Sequence, residues 1–165
     1  MSRQKLKELT LVLADVDATE HLGAVLAGTL ADGMVIFLHG DLGTGKTTLV
    51  RGVLRQLGFE GAVKSPTYTL LEEYAVGARE IIHFDLYRLD DPEELDLIGI
   101  RDYFNGRACC FIEWPQRGDG YLPRHDLEIT ITHQGAGRVA SISALSESGA
   151  QTLQAIQTEF YPESR

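Results

Sequence analysis

The sequence predicts an α/β domain with a central mixed β-sheet flanked by helices. Two observations predict it: apolar runs of strand length alternate with stretches of helical periodicity along the chain, and one such run leads straight into a glycine-rich segment that opens a helix. The 165 residues contain no repeat, low-complexity tract or linker, and the length suits one domain. That domain is expected to span 1–165, with a core over about 8–145 and a C-terminal helix and tail over 148–165.

Glu8 to Ala14 reads as a short strand, followed by a turn at Asp15-Val16-Asp17. Asp17 or Thr19 can then cap a helix reaching about Leu30, with Leu22, Val25, Leu26 and Leu30 on one apolar face. Met34 to His39 is a nearly continuous apolar run, as expected of a strand covered on both faces. Lys46 to Leu57 is a helix stopped by Gly58, and 61–66 is loop. Thr67 to Tyr74 and Glu80 to Tyr87 read as strands around a turn at Gly77.

Asp91-Pro92-Glu93-Glu94 places a cap, a first-turn proline and two acids at the start of a helix to about Ile98. Ala108 to Ile112 is a further buried strand, closed by Glu113-Trp114-Pro115. Leu127 to Thr132 and Val139 to Leu145 pair as a hairpin across Gln134–Gly137, and Gly149 to Phe160 has weak helical character before a frayed tail.

Fifteen Lys and Arg against twenty-four Asp and Glu leave a formal charge of −9. A chain that grips nucleic acid by itself shows a basic face, because phosphate neutralisation supplies most of the affinity. Any link to nucleic acid is therefore expected to run through a partner. The two cysteines are adjacent, Cys109 and Cys110, and on a strand they point to opposite faces, which suits buried reduced thiols better than a redox pair or a metal site. No apolar run approaches the roughly 18 residues of a membrane helix, and MSRQKLKELT has no signal-peptide core behind its basic residues. A soluble, cytoplasmic protein is expected.

Gly40-Asp41-Leu42-Gly43-Thr44-Gly45-Lys46-Thr47 fits G-x-x-x-x-G-K-[ST] at every fixed position, after a buried strand and ahead of a helix. The glycines open backbone angles closed to other residues and let phosphate oxygens approach the main chain. Successive amide N–H groups form an anion nest, to which the helix adds its positive end. Lys46 supplies a point charge for the β- and γ-phosphates, and the Thr47 hydroxyl can ligate Mg²⁺. The segment Gly40 to Thr48 thus predicts a P-loop nucleoside triphosphatase. Guanine-reading Asn/Thr-Lys-x-Asp is absent, the sole asparagine, Asn105, preceding Gly106, so ATP with Mg²⁺ is the expected ligand.

Such a site needs an acid at the end of a neighbouring strand. Asp85 and Glu113 both end apolar runs. Glu113 ends the more continuous one and is favoured for the metal, leaving Asp85 to orient the attacking water or a metal-bound water. Lys46, Asp85 and Glu113 are the catalytic candidates. Thr67, in Lys64-Ser65-Pro66-Thr67-Tyr68-Thr69, either reports the γ-phosphate or belongs to a proline turn entering a strand. His39 and His83 read as strand-packing histidines. No arginine downstream of the loop sits in an obvious lid, so hydrolysis coupled to a conformational change is a simpler reading than a small-molecule kinase. A nucleotide-dependent binding module with incidental hydrolysis is the other alternative.

The phosphate loop, Lys64-Ser65-Pro66-Thr67-Tyr68-Thr69-Leu70, His83-Phe84-Asp85-Leu86-Tyr87-Arg88-Leu89, Asp91-Pro92-Glu93-Glu94-Leu95, Gly99-Ile100-Arg101-Asp102-Tyr103-Phe104 and Ile112-Glu113-Trp114-Pro115 occur in that order. Together, over about residues 8 to 145, they closely resemble the bacterial TsaE (YjeE) family. The resemblance implies a P-loop ATPase needed to make N6-threonylcarbamoyladenosine in tRNA. It implies work with TsaB and TsaD, in which TsaD transfers the threonylcarbamoyl group, TsaC makes the adenylate, and the ATPase resets the TsaB–TsaD complex between rounds. tRNA is then met only through that complex. The resemblance assigns phosphate and Mg²⁺ positions to Lys46 and Thr47, a nucleotide-site acid to Asp85 and the second metal ligand to Glu113. It also implies nucleotide contacts for Arg138 and, at the adenine end, Val16. Trp114 either packs near the nucleotide or is a buried strand-end aromatic.

Overall fold

The computed structural model describes residues 5–162. The chain begins with strand β1 (Lys7–Leu13), and Asp15 caps helix α1 (Val16–Ala27) by accepting the Ala18 N–H at 2.9 Å. The cap is thus Asp15 rather than Asp17 or Thr19, because its extended backbone puts the carboxylate against the third amide of the helix. The helix stops at Gly28, short of Leu30. Strand β2 (Val35–His39) feeds the glycine-rich loop, and helix α2 (Lys46–Leu57) follows with the predicted bounds, closed by Gly58 at φ 103°.

The next strand, β3 (Leu71–Val76), begins four residues later than expected. Thr67 to Leu70 is a turn instead, closed by the Leu70 N–H on the Pro66 carbonyl at 2.8 Å with Leu70 at φ 73°. The β-favouring residues there lose to Pro66, which has no N–H for a ladder. Strand β4 (Arg79–Asp85) ends where the Tyr87 N–H turns back to Asp85 Oδ1 at 3.0 Å.

The helix expected from Asp91 shrinks to one turn, α3 (Glu94–Leu97). Asp91 does open it, accepting the Glu93 N–H at 2.9 Å, but Gly99 at φ 71° ends it and starts a 3₁₀ turn over Ile100–Tyr103. Strand β5 (Cys109–Glu113) and the hairpin of β6 (Leu127–Gln134) and β7 (Gly137–Ala144) follow. Helix α4 (Glu147–Phe160) is firmer than its weak pattern predicts, because Ser146 Oγ caps it on the Gly149 N–H at 3.0 Å. The frayed tail falls largely on 163–165, outside the described residues.

The seven strands form one mixed sheet in the order β1-β7-β6-β2-β5-β4-β3. The central strands β6, β2, β5 and β4 run parallel, and antiparallel pairs close both edges. Its two faces carry separate cores. One holds Leu22, Leu26, Leu49, Val53, Ile81, Cys109 and Phe111 beneath α1, α2 and α4; the other holds Ile82, Phe84, Leu95, Cys110 and Ile112 beneath the segment around α3. Cys109 and Cys110 thus face opposite cores, as alternation requires, and burial pushes the Cys110 thiol up to about 12. No helix among the described residues is long and apolar enough to cross a membrane.

Helices α1 and α2 cross backbone to backbone. A Cβ on Gly23 would lie 2.3 Å from the Leu49 carbonyl oxygen, and one on Gly52 would lie 2.2 Å from that of Glu20. This contact locks the helix behind the glycine-rich loop to the helix that begins at Val16.

Candidate functional site

The parallel strands β2, β4 and β5 all end on the same edge, where the chain leaves each one. Sites of open α/β sheets form at such carboxyl ends. From β2 the loop passes through Gly40 at φ 146°, where an added Cβ would meet the Ile131 carbonyl and the Thr44 hydroxyl, both at 2.6 Å. Gly45 enters α2 at φ 109° with no side-chain cap, so main-chain amides face outward at the positive end of a 12-residue helix. Thr44 Oγ1 bonds the Asp41 carbonyl at 2.9 Å and braces the loop.

A cavity of about 220 Å³ opens against this helix start, lined by Lys46, Thr47, Thr67, Asp85 and Glu113 together with Leu42, Gly43, Gly45, Thr48 and Ser65. Parallel pairing sets Asp85 opposite Glu113 on neighbouring strands, so both carboxylates leave the same face of the sheet. Lys46 is 5% exposed; its ammonium donates to the Gly40 carbonyl and lies 3.6 Å from Glu113 Oε1. Thr67 Oγ1 donates to Asp85 Oδ2 at 3.0 Å and lies 2.7 Å from Ser65 Oγ. Thr67 therefore belongs to a proline turn and also faces the cavity. Burial raises the Asp85 carboxyl above its usual value and the nearby Glu113 charge adds to this, against the opposing Tyr87 N–H and Thr67 hydroxyl.

Trp114 leaves β5 at φ 56° and sets its ring 4.8 Å from the Lys46 ammonium and 5.0 Å from the Tyr87 ring. Its indole N–H is buried with no hydrogen-bond partner among the described residues.

A second cavity, about 180 Å³, shares Gly43, Gly45 and Thr48 with the first. Val16 and Arg138, far apart in the chain, both line it, with Asp15, Thr19 and Gly137. Arg138 clasps the loop from this side, its Nε 3.1 Å from the Thr44 carbonyl and its NH2 3.3 Å from that of Gly43. Gly40 and Asp41 line neither; they border a third cavity of about 540 Å³ beside Trp114 and Gln116.

Sequence reasoning missed the part of His83. It is fully buried, with Nε2 2.6 Å from Glu113 Oε2. Its place two residues before Asp85 on a strand was the available signal, since it shares that residue's face. His39 instead bonds Glu128 at 2.7 Å on the β6 side, a strand-packing role.

The oxygen donors at the first cavity include the Thr47 hydroxyl and the Asp85 and Glu113 carboxylates, hard ligands that suit Mg²⁺. The main chain beside them is open: apart from Gly43 and its two chain neighbours, no heavy atom of the described residues lies within 4 Å of where a Gly43 Cβ would sit. The residues present therefore fit a Mg²⁺-bound polyphosphate.

Comparison with known proteins identifies the family. The family model described as "Threonylcarbamoyl adenosine biosynthesis protein TsaE" matches residues 13–140. The tRNA threonylcarbamoyladenosine biosynthesis protein TsaE of Haemophilus influenzae is 49% identical over 122 residues, covering 74% of this chain and 77% of its own length. The Bacillus subtilis protein of the same name is 36% identical over 130 residues, covering 79% and 81%. The crystal structure of Bacillus subtilis YdiB superposes with a TM-score of 0.81 at 27% identity, over 96% of this chain and 99% of that one. The chain belongs to the TsaE family.

Proposed function

We propose that this protein is a Mg²⁺-dependent ATPase of tRNA threonylcarbamoyladenosine biosynthesis that acts on the TsaB–TsaD complex and allows it repeated turnover. The observation that carries this reading is the convergence of Lys46, Thr47, Thr67, Asp85 and Glu113 on one cavity at the uncapped start of α2.

Each group has a part in phosphoryl transfer to water. The amides of Gly43 to Thr48 and the Lys46 ammonium bind the β- and γ-phosphates. The Thr47 hydroxyl and the Glu113 carboxylate would hold Mg²⁺, which would neutralise charge on the phosphate oxygens. Asp85 orients a water toward the terminal phosphorus; the water oxygen bonds to phosphorus as the bond to the bridging oxygen breaks, ADP leaves with that oxygen, and a proton of the water passes to the phosphate released. Thr67, bonded to Asp85, couples the Ser65–Leu70 turn to the nucleotide. Val16 and Arg138, across the loop, contact the nucleoside side.

The test is reconstitution of tRNA modification with TsaB, TsaD and TsaC, following phosphate release and modified tRNA formed per complex. Lys46→Ala and Glu113→Ala are each expected to lower phosphate release by roughly 100-fold or more and to confine modification to about one round. If Glu113→Ala hydrolyses ATP at the wild-type rate, the metal assignment fails. Phosphate release that needs a small-molecule acceptor and no protein partner would show a kinase instead.

A further inference from the structure

His83 has no role in the chemistry above, yet it is the most deeply placed polar side chain at the site. It lies on β4 opposite Phe111, one strand away from Glu113 and two residue pairs deeper in the sheet than the Asp85–Glu113 pair. It is 0% exposed, between the apolar Ile81 and the site acid Asp85. A histidine kept only for packing gains nothing there, because burying an imidazole costs free energy unless its nitrogens are bonded. One nitrogen is bonded to Glu113: Nε2 lies 2.6 Å from Oε2. The other, Nδ1, is buried with no hydrogen-bond partner among the described residues.

The carboxylate is thereby divided. Oε2 receives the imidazole N–H, while Oε1 is the oxygen 3.6 Å from the Lys46 ammonium. Without the bond, nothing on this side would fix the rotation of the Glu113 carboxylate, and the place of Oε1 beside Lys46 would be lost. We propose that His83 is a positioning residue, holding Glu113 by Oε2 so that Oε1 keeps its place beside Lys46 at the cavity. This rests on the reading that Glu113 serves the nucleotide's Mg²⁺. Hydrogen-bonded partners of metal ligands commonly carry roughly 10- to 100-fold of metal affinity or activity.

The test compares wild type with His83→Leu and with His83→Gln, whose amide N–H can reach the place of Nε2. The first readout needs no nucleotide. Nitrogen-correlated proton NMR of the free protein should show a slowly exchanging imidazole N–H that is lost in Glu113→Ala. The second is calorimetry of ATP with EDTA and with Mg²⁺. His83→Leu should bind ATP in EDTA within about twofold of wild type, but need roughly 10- to 100-fold more Mg²⁺ for full affinity. His83→Gln should recover most of that loss. An unchanged Mg²⁺ response in folded His83→Leu overturns the proposal, as does a folded His83→Gln with the full defect. Should His83→Leu not fold, recovery or defect in His83→Gln decides. Failure of wild type to bind Mg·ATP would instead overturn the ATPase reading, while the imidazole signal still reports the His83–Glu113 bond.

Discussion

At the scale of residues, the site holds carboxylates where stability alone would not put them. Asp85 is 2% exposed and its pKa is raised by burial. Folding therefore favours its protonated form, so its stabilising contribution is full below the ordinary value of 3.8 and is lost as pH rises through the raised one. Asp85→Asn removes that cost. The variant should resist urea better than wild type at pH about 7, with an advantage that shrinks toward pH about 4; an advantage independent of pH would mean that Asp85 charging is not the cause. The same substitution should depress ATP turnover, the trade expected of a functional acid. Lys46, Thr47, Asp85 and Glu113 were legible in the sequence because a motif with fixed spacing and two strand ends mark them. His83 was not, because alternation shows which face it shares but not that β4 and β5 pair in parallel with Asp85 opposite Glu113. Only that register brings its ring diagonally to Oε2.

At the scale of elements, the contact of α1 with α2 carries the most specific packing. Gly23→Ala forces a methyl into the Leu49 carbonyl at a helix crossing that cannot open without moving Val16 or the loop. The expected cost is about 1–3 kcal/mol, read from urea unfolding, with weakened ATP affinity because the second cavity lies between these helices' starts. Wild-type stability in Gly23→Ala would show that the crossing is slack. Asp15→Ala should cost about 1 kcal/mol through the lost cap. Among the elements, β2, α2 and the β6–β7 hairpin were readable because apolar pattern, glycines and turn agree there. The start of β3 was misread since Thr67, Tyr68 and Thr69 favour strands, whereas the site needs Thr67 in a turn that delivers its hydroxyl to Asp85. The caps of α1 and α4 depend on which of several polar residues reaches an amide, which composition does not decide.

At the scale of the molecule, the sheet order gathers three strand ends at one edge while the formal charge stays at −9. The cation proposed to meet phosphate, Lys46, is buried at the first position of α2, so the acidic exterior need not weaken nucleotide binding. It should weaken tRNA binding. The protein alone is expected to leave tRNA unshifted in native gels at physiological salt, with a shift only when TsaB and TsaD are added; a salt-sensitive shift by the protein alone would contradict the indirect route to tRNA.

The central claim, that the amides of Gly43 to Thr48 and the Lys46 ammonium capture a triphosphate at the start of α2, is tested most directly by titration calorimetry with Mg·ATP. Wild type is predicted to bind one nucleotide per chain, and folded Lys46→Ala to lose at least about tenfold in affinity. No binding by wild type, or equal binding by Lys46→Ala, would contradict it.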